Sequence, residues 1–155
     1  MRTQREHAVT LIIAAIAIIV IVGGYASFTG LAAYDAPLRL EMVKSSFNQG
    51  DVFDVNVIVN PVTFMSDESI LLYIDNQAVG VVALRQYLDD NSISYGVDVK
   101  NLGQNNVEVI NLKNPLSINL ADHVSLEYMH PGTTHIMKVE FSRGDAVAEE
   151  VFGVE

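Results

Sequence analysis

Phe53 to Asn60 reads FDVNVIVN, with Phe53, Val55, Val57 and Val59 alternating against Asp54, Asn56, Ile58 and Asn60. Successive side chains of a strand point to opposite faces, so this pattern is a β-strand with one buried side. Pro61 lacks the N–H that would continue the ladder and ends it. Ile58 is the exception on the polar side. An apolar residue facing water there would mark a contact patch.

Working outward, the same signal recurs at regular spacing. Before it, Leu38, Leu40 and Met42 alternate with Arg39 and Glu41, and Asn48-Gln49-Gly50-Asp51 makes a turn. After it, Ile70–Ile74 is apolar on both sides, as a central strand would be, and Asp75-Asn76-Gln77 turns it into a hairpin partner, Val79–Leu84. Further strands are expected where Ile93, Tyr95, Val97 and Val99 alternate and at Val107–Leu112. Others follow at Leu116, Ile118 and Leu120, at Val124, Leu126 and Tyr128, at Met137, Val139 and Phe141, and at Val147–Val154. Leu102–Asn106, Pro131-Gly132 and Ser142–Asp145 supply turns. Helical periodicity is missing after residue 33, apart from one turn's worth at Arg85–Asp90. Roughly eight or nine short strands with turns about every 8–12 residues predict a mainly β fold: one Greek-key β-sandwich over residues 38–155.

The rest of the chain is of a different kind. Residues 8–33, AVTLIIAAIAIIVIVGGYASFTGLAA, carry no charged side chain. As a helix rising about 1.5 Å per residue they would reach roughly 39 Å, more than the ~30 Å of bilayer hydrocarbon. This predicts a transmembrane helix with the lipid bilayer as its partner. Arg2 and Arg5 in the short tip, residues 1–7, keep the N-terminus cytoplasmic and send the C-terminal domain outside the cytoplasm. Residues 34–37 form a short linker, with Pro37 ending the helix. Three fates are open for the apolar segment. It is retained as a signal anchor, which its unbroken apolar character through Tyr25, Phe28 and Leu31 favours. Alternatively it is cut after His7 or Ala8 as a pilin-type leader, or after Ala26 or Ala32 as a secretory signal peptide. Gly23-Gly24 with Ala14, Ala15 and Ala17 offers a small-residue surface on which copies of the helix could pack.

Two resemblances follow from these stretches. A short charged leader, an apolar helix of this length and a β head resemble archaeal type IV pilins and archaellins. The junction Arg5-Glu6-His7-Ala8-Val9 has His7 where that family carries a basic residue before the cut. The resemblance implies a filament subunit with the helix as filament core. Phe47–Val57, an aromatic, a Gly-Asp turn and an alternating strand, and the hairpin Ser69–Val79 resemble immunoglobulin-like domains of archaeal surface proteins. That resemblance implies an Ig-like sandwich on the cell surface with an adhesion, assembly or spacing role and no catalysis. The chain lacks the cysteine pair and the core tryptophan of antibody domains.

Charge and chemistry narrow the function. All but one of the 19 acidic residues and all but two of the 9 basic ones lie beyond residue 34, so the β domain carries a net charge of −11 and the N-terminal tip +1, giving −10 for the chain. Such a surface repels phosphate backbones, and no nucleic-acid partner is expected. With no cysteine there is no thiol chemistry and no Cys-based zinc site. No nucleotide-binding glycine fingerprint, nucleophile elbow or His-Glu-x-x-His pair occurs. Only Asn60–Glu68 and Arg85–Ser92 are long enough to line a cleft, so the expectation is a protein without catalytic residues or a cofactor. His123, His130 and His135 are the residues from which a divalent-metal site could be built, the last two flanking one turn. Calcium would look to Asp51 with Asp54, Asp67-Glu68, or Asp89-Asp90-Asn91, none of which has the alternating spacing of a known loop. Arg143-Gly144-Asp145 spells an integrin tripeptide at an expected hairpin tip, where Gly-Asp is also ordinary turn chemistry. A protein partner or self-association is expected, of unspecified identity. A released calcium- or ligand-binding adhesion domain is the remaining alternative.

Overall fold

The computed structural model of the chain describes residues 36–155. They form eleven strands and one short helix: β1 (Leu38–Met42), β2 (Ser46–Phe47), β3 (Val55–Val59), β4 (Thr63–Met65), β5 (Ser69–Ile74), β6 (Gln77–Ala83), α1 (Leu84–Asp90), β7 (Gly96–Leu102), β8 (Asn105–Asn111), β9 (Leu116–Asn119), β10 (Thr133–Phe141) and β11 (Val147–Val154). The expected tip, membrane segment, processing points and the first two residues of the linker lie outside the described residues. Among the described residues no helix is long and apolar enough to cross a membrane.

The strands make three sheets, ordered β1-β3-β9, β2-β11-β10-β5-β6 and β4-β8-β7. The first and third are connected at one seam. β3 pairs with β9 down to Val59↔Leu116, β4 pairs with β8 from Thr63↔Asn111, and the Leu112 N–H donates to the Val62 carbonyl between them at 3.0 Å. Pro61, between β3 and β4, and Pro115, between β8 and β9, stand at that interruption, where a missing N–H cannot continue the ladder.

β1 and β2 belong to different sheets although only three residues separate them. β1 runs antiparallel to β3, whereas β2 runs parallel to β11 with Ser46↔Gly153 and Phe47↔Val154 in register. The Gly153 N–H donates to the Ser45 carbonyl and the Glu155 N–H to the Phe47 carbonyl, both at 2.8 Å, which fixes the crossover. One apolar cluster collects side chains from all three sheets, including Leu40, Val57, Phe64, Leu72, Ile110, Ile118, Val139 and Phe152. Phe47, Phe53 and Phe152 meet in it with centroids 5.0–6.0 Å apart in tilted and edge-on pairs, the geometry aromatic quadrupoles favour.

Several expectations need correction. Ile58 is buried, lying between Arg39 and Ser117 in register, and is not an exposed contact patch. Val124–Tyr128 is not a strand. His123 and Val124 donate to the Leu120 carbonyl and Met129 to that of Leu126, so the segment spends its backbone on local turns while Val124 and Leu126 plug into the core. Tyr128 is 86% exposed. The helical segment exceeds one turn: Leu84 and Leu88, four apart, are both buried, which is the stripe an amphipathic helix needs. Asn60–Glu68 contains β4, so neither stretch expected to line a cleft is a free loop. The two-residue strand β2 and the three-residue β4 are too short for alternation to reveal.

Candidate functional site

The β5–β6 turn carries the densest polar constellation. Asp75 and Asn76 both have positive φ, 49° and 65°, the pairing a two-residue type I′ hairpin requires. That conformation holds the Asp75 carboxylate against β10. Its Oδ1 accepts from the Ile136 N–H at 2.9 Å, and its Oδ2 lies 2.6 Å from His135 Nδ1. On the other side of the ring, His135 Nε2 is 2.7 Å from Thr133 Oγ1, and that hydroxyl donates to the His130 carbonyl. The imidazole also stacks obliquely on Phe152, centroids 5.6 Å apart.

Carboxylate, imidazole and hydroxyl stand in the order of a hydrolase triad, but the hydroxyl is also tied to a backbone carbonyl. A threonine hydroxyl has one proton, and here it goes to the His130 carbonyl. His135 bridges the Asp75 carboxylate and the Thr133 hydroxyl, which is itself engaged with the His130 carbonyl. The arrangement is a clamp. It ties the β5–β6 turn and the 130–133 turn to the first residues of β10. The hydrogen bonds from His135 and then from the Ile136 N–H hold the Asp75 carboxyl below its ordinary range.

A cleft of about 360 Å³ opens beside the clamp, lined among others by Gln77, Val79, Tyr128, Met129, His130 and His135. It brings together two of the three histidines expected from the sequence. His123 is not on its wall; the His123 carbonyl instead faces Gly80, 3.6 Å from where a Cβ would stand. Among the described residues no group of three or more His, Asp or Glu side chains is placed to hold a metal ion.

The acidic clusters have protein partners. Asp51 accepts from Lys44 at 2.6 Å and from the Asn48 N–H at 2.9 Å, which lowers its pKa. Asp54 accepts from Asn119, and Asp89 from the Tyr95 hydroxyl, whose own pKa is raised by that carboxylate. Asp67 takes both oxygens to Arg143 Nη2, at 2.6 and 2.8 Å, which lowers its carboxyl pKa. Glu68 is the buried charged residue of the described part, 2% exposed. It accepts from the Ser142 hydroxyl at 2.6 Å and from the Arg143 and Ser69 N–H groups at 3.3 Å, with Arg143 Nε 3.8 Å away. The tripeptide Arg143–Asp145 does sit at the β10–β11 turn, with Gly144 at φ 76°. Its arginine is folded back onto Asp67-Glu68 and not presented outward.

The Asp75–His135 and Glu68–Ser142 contacts join residues 60 and 74 positions apart, and local sequence pattern carries no trace of either. The Asp-Asn pair was legible only as a turn. No protein-family model matches the chain, and no curated protein sequence matches it.

Proposed function

We propose that residues 38–155 form an immunoglobulin-like Greek-key sandwich, held at the outer side of a cell membrane by residues 8–33, with a structural, adhesion or protein-interaction role. The observation that carries this reading is the division of the first strand. In Ig-like sandwiches one sheet runs A-B-E-D and the other G-F-C, with C′ added in variable-type domains. The order β1, β3–β4, β8–β9, β7 corresponds to A-B-E-D, and β11-β10-β5-β6 to G-F-C-C′. β2, parallel to β11, is the first strand's continuation in the second sheet.

Packing supports the same reading. Without cysteine or tryptophan, the centre is filled by Phe47, Phe53 and Phe152 from three different segments of the chain. The short turns and the clamp at Asp75 suit a rigid display domain, since the polar groups near its cleft are engaged with one another.

The membrane part is tested by N-terminal sequencing of the native protein together with shearing and detergent fractionation. Anchoring predicts a start at Met1 and release only by detergent. A start at Ala8 or Val9 in sheared filaments would replace the anchor by a pilin-like subunit. A start at Ser27 or Ala33 would replace it by a released domain.

A further inference from the structure

We propose that two copies of this chain pair through the outer face of the five-stranded sheet, about a twofold axis that runs parallel to β10 and β11 and between them. The inference rests on the reading of the chain as an interaction module and names its partner as a second copy.

Alternation along these strands divides the sheet into two sides. Met137, Val139, Phe141 and Phe152 are buried in the core, so Ile136, Lys138, Glu140, Val147, Glu149 and Val151 point outward. Register sets these six in three rows: Val147 beside Glu140, Glu149 beside Lys138, and Val151 beside Ile136. The three aliphatic side chains are 47–54% exposed. On the outer side of β1-β3-β9 the comparable residue, Ile58, lies between Arg39 and Ser117 and is 7% exposed. The two outer faces are therefore treated differently, and only the five-stranded one leaves its aliphatic residues open.

Charge selects the occupant and the axis. Lys138 Nζ is 3.2 Å from a Glu140 oxygen and 4.3 Å above the Tyr73 ring, so Glu140 is neutralised within its own chain. Glu149 is exposed and has no hydrogen-bond or ion-pair partner among the described residues. An ammonium has three donors, and the one given to Glu140 leaves others for a second carboxylate. Rotation about the β10–β11 axis exchanges the two strands and keeps each row at its own level. Lys138 of each copy then faces Glu149 of the other, and Ile136 faces Val151, the self-complementarity that a twofold contact requires. An axis along β10 would instead set Lys138 against Lys138. Stacked sheets lie ~10 Å apart and are turned by about 30°, so the middle row, nearest the centre, is the least displaced. Because the axis follows the strands, both chains enter their domains from the same end, as two copies in one membrane must. Four overlapping strands of about six residues bury roughly 800 Å² over both copies, about half of a standard interface. Association is accordingly weak for free chains and strengthened by a shared membrane.

The chain has no cysteine, so Val99→Cys on β7, 66% exposed and on another sheet, takes a single donor or acceptor dye. Full-length chains labelled there are reconstituted in vesicles, and energy transfer between them is measured. Pairing predicts that Lys138→Glu and Glu149→Lys each reduce transfer at least fivefold, and that mixing the two variants restores at least half of it. Like charges face each other when either variant meets itself, and opposite charges when it meets the other. Val151→Lys, at an exposed position, should also reduce transfer at least fivefold with an unchanged circular dichroism spectrum, and it decides the face if a charge reversal fails to fold. Transfer as high in these variants as in the parent, as helix-driven clustering would give, overturns the proposal. So does a mixture of two folded variants that transfers no better than its components, because the loss then arises within each chain. Loss of the chain from the vesicle fraction before measurement would instead count against the anchor; the same measurement on the concentrated soluble chain then decides the face.

Discussion

Two hairpins of nearly equal length part company in what surrounds them. β10–β11 and β7–β8 both close through a glycine in the left-handed region, Gly144 at φ 76° and Gly103 at 71°. β10 is paired on both sides, by β11 and β5, and buries Met137, Val139 and Phe141. β7 is paired by β8 alone, and its Val97 and Val99 are 46% and 66% exposed. Alternation in the two strands looks the same, yet only one has an opposing layer to receive its apolar side. Apolar periodicity thus reports that a strand exists; burial depends on its place in the sheet.

The largest effect should come from the core side of that contrast. Phe152→Ala removes a ring packed against Phe47, Phe53 and His135, and by the general cost of such truncations should destabilise the domain by about 3–5 kcal/mol in urea titrations of the full chain in micelles. A loss under ~1 kcal/mol would mean that the centre is not packed as described. Next comes the turn of the buried hairpin. Glu68→Ala leaves the Ser142 hydroxyl and the Ser69 and Arg143 N–H groups without their acceptor, at a cost of about 1–3 kcal/mol, and should speed hydrogen exchange at residues 142–146 selectively. Uniform acceleration across the domain would assign Glu68 a global role instead.

The clamp gives a smaller, pH-dependent effect. The Asp75 carboxyl is held below its unfolded value, so its contribution is complete above about pH 4 and disappears as pH falls through the folded pKa. Half-exposure of that side chain keeps the contribution under ~1 kcal/mol. Asp75→Asn should therefore lower stability slightly at neutral pH and flatten the acid limb of the stability curve; an unchanged acid limb would show the pair to be inert. Smallest of all, Val99→Thr on the exposed hairpin should stay within about 0.5 kcal/mol of the parent in the same titration. A cost above 2 kcal/mol would place β7 under a covering layer.

Much of the strand pattern was readable because long alternating runs such as Val55–Val59 and Met137–Phe141 record burial on one side. The Asp75–Asn76 turn was readable because few residues tolerate two consecutive positive φ values. What local pattern could not carry was anything set by distant segments. Ile58 looked exposed because its neighbours in sequence alternate, whereas Arg39 and Ser117 flank it in space. Val124 and Leu126 looked like a strand because two buried residues spaced by two give the same signal from a turn. His130 and His135 were placed at one end by their shared turn, but the partner that fixes His135 lies 60 residues away.

The split first strand is what the proposed Ig-like reading stands on, and inter-strand proton contacts measured by NMR on the labelled full chain in micelles test it most directly. The expected result is Ser46 and Phe47 in parallel contact with Gly153 and Val154, while Leu40 contacts Val57 in antiparallel register. Ser46 and Phe47 found pairing with β3, as a simple extension of β1 within one sheet, would contradict it.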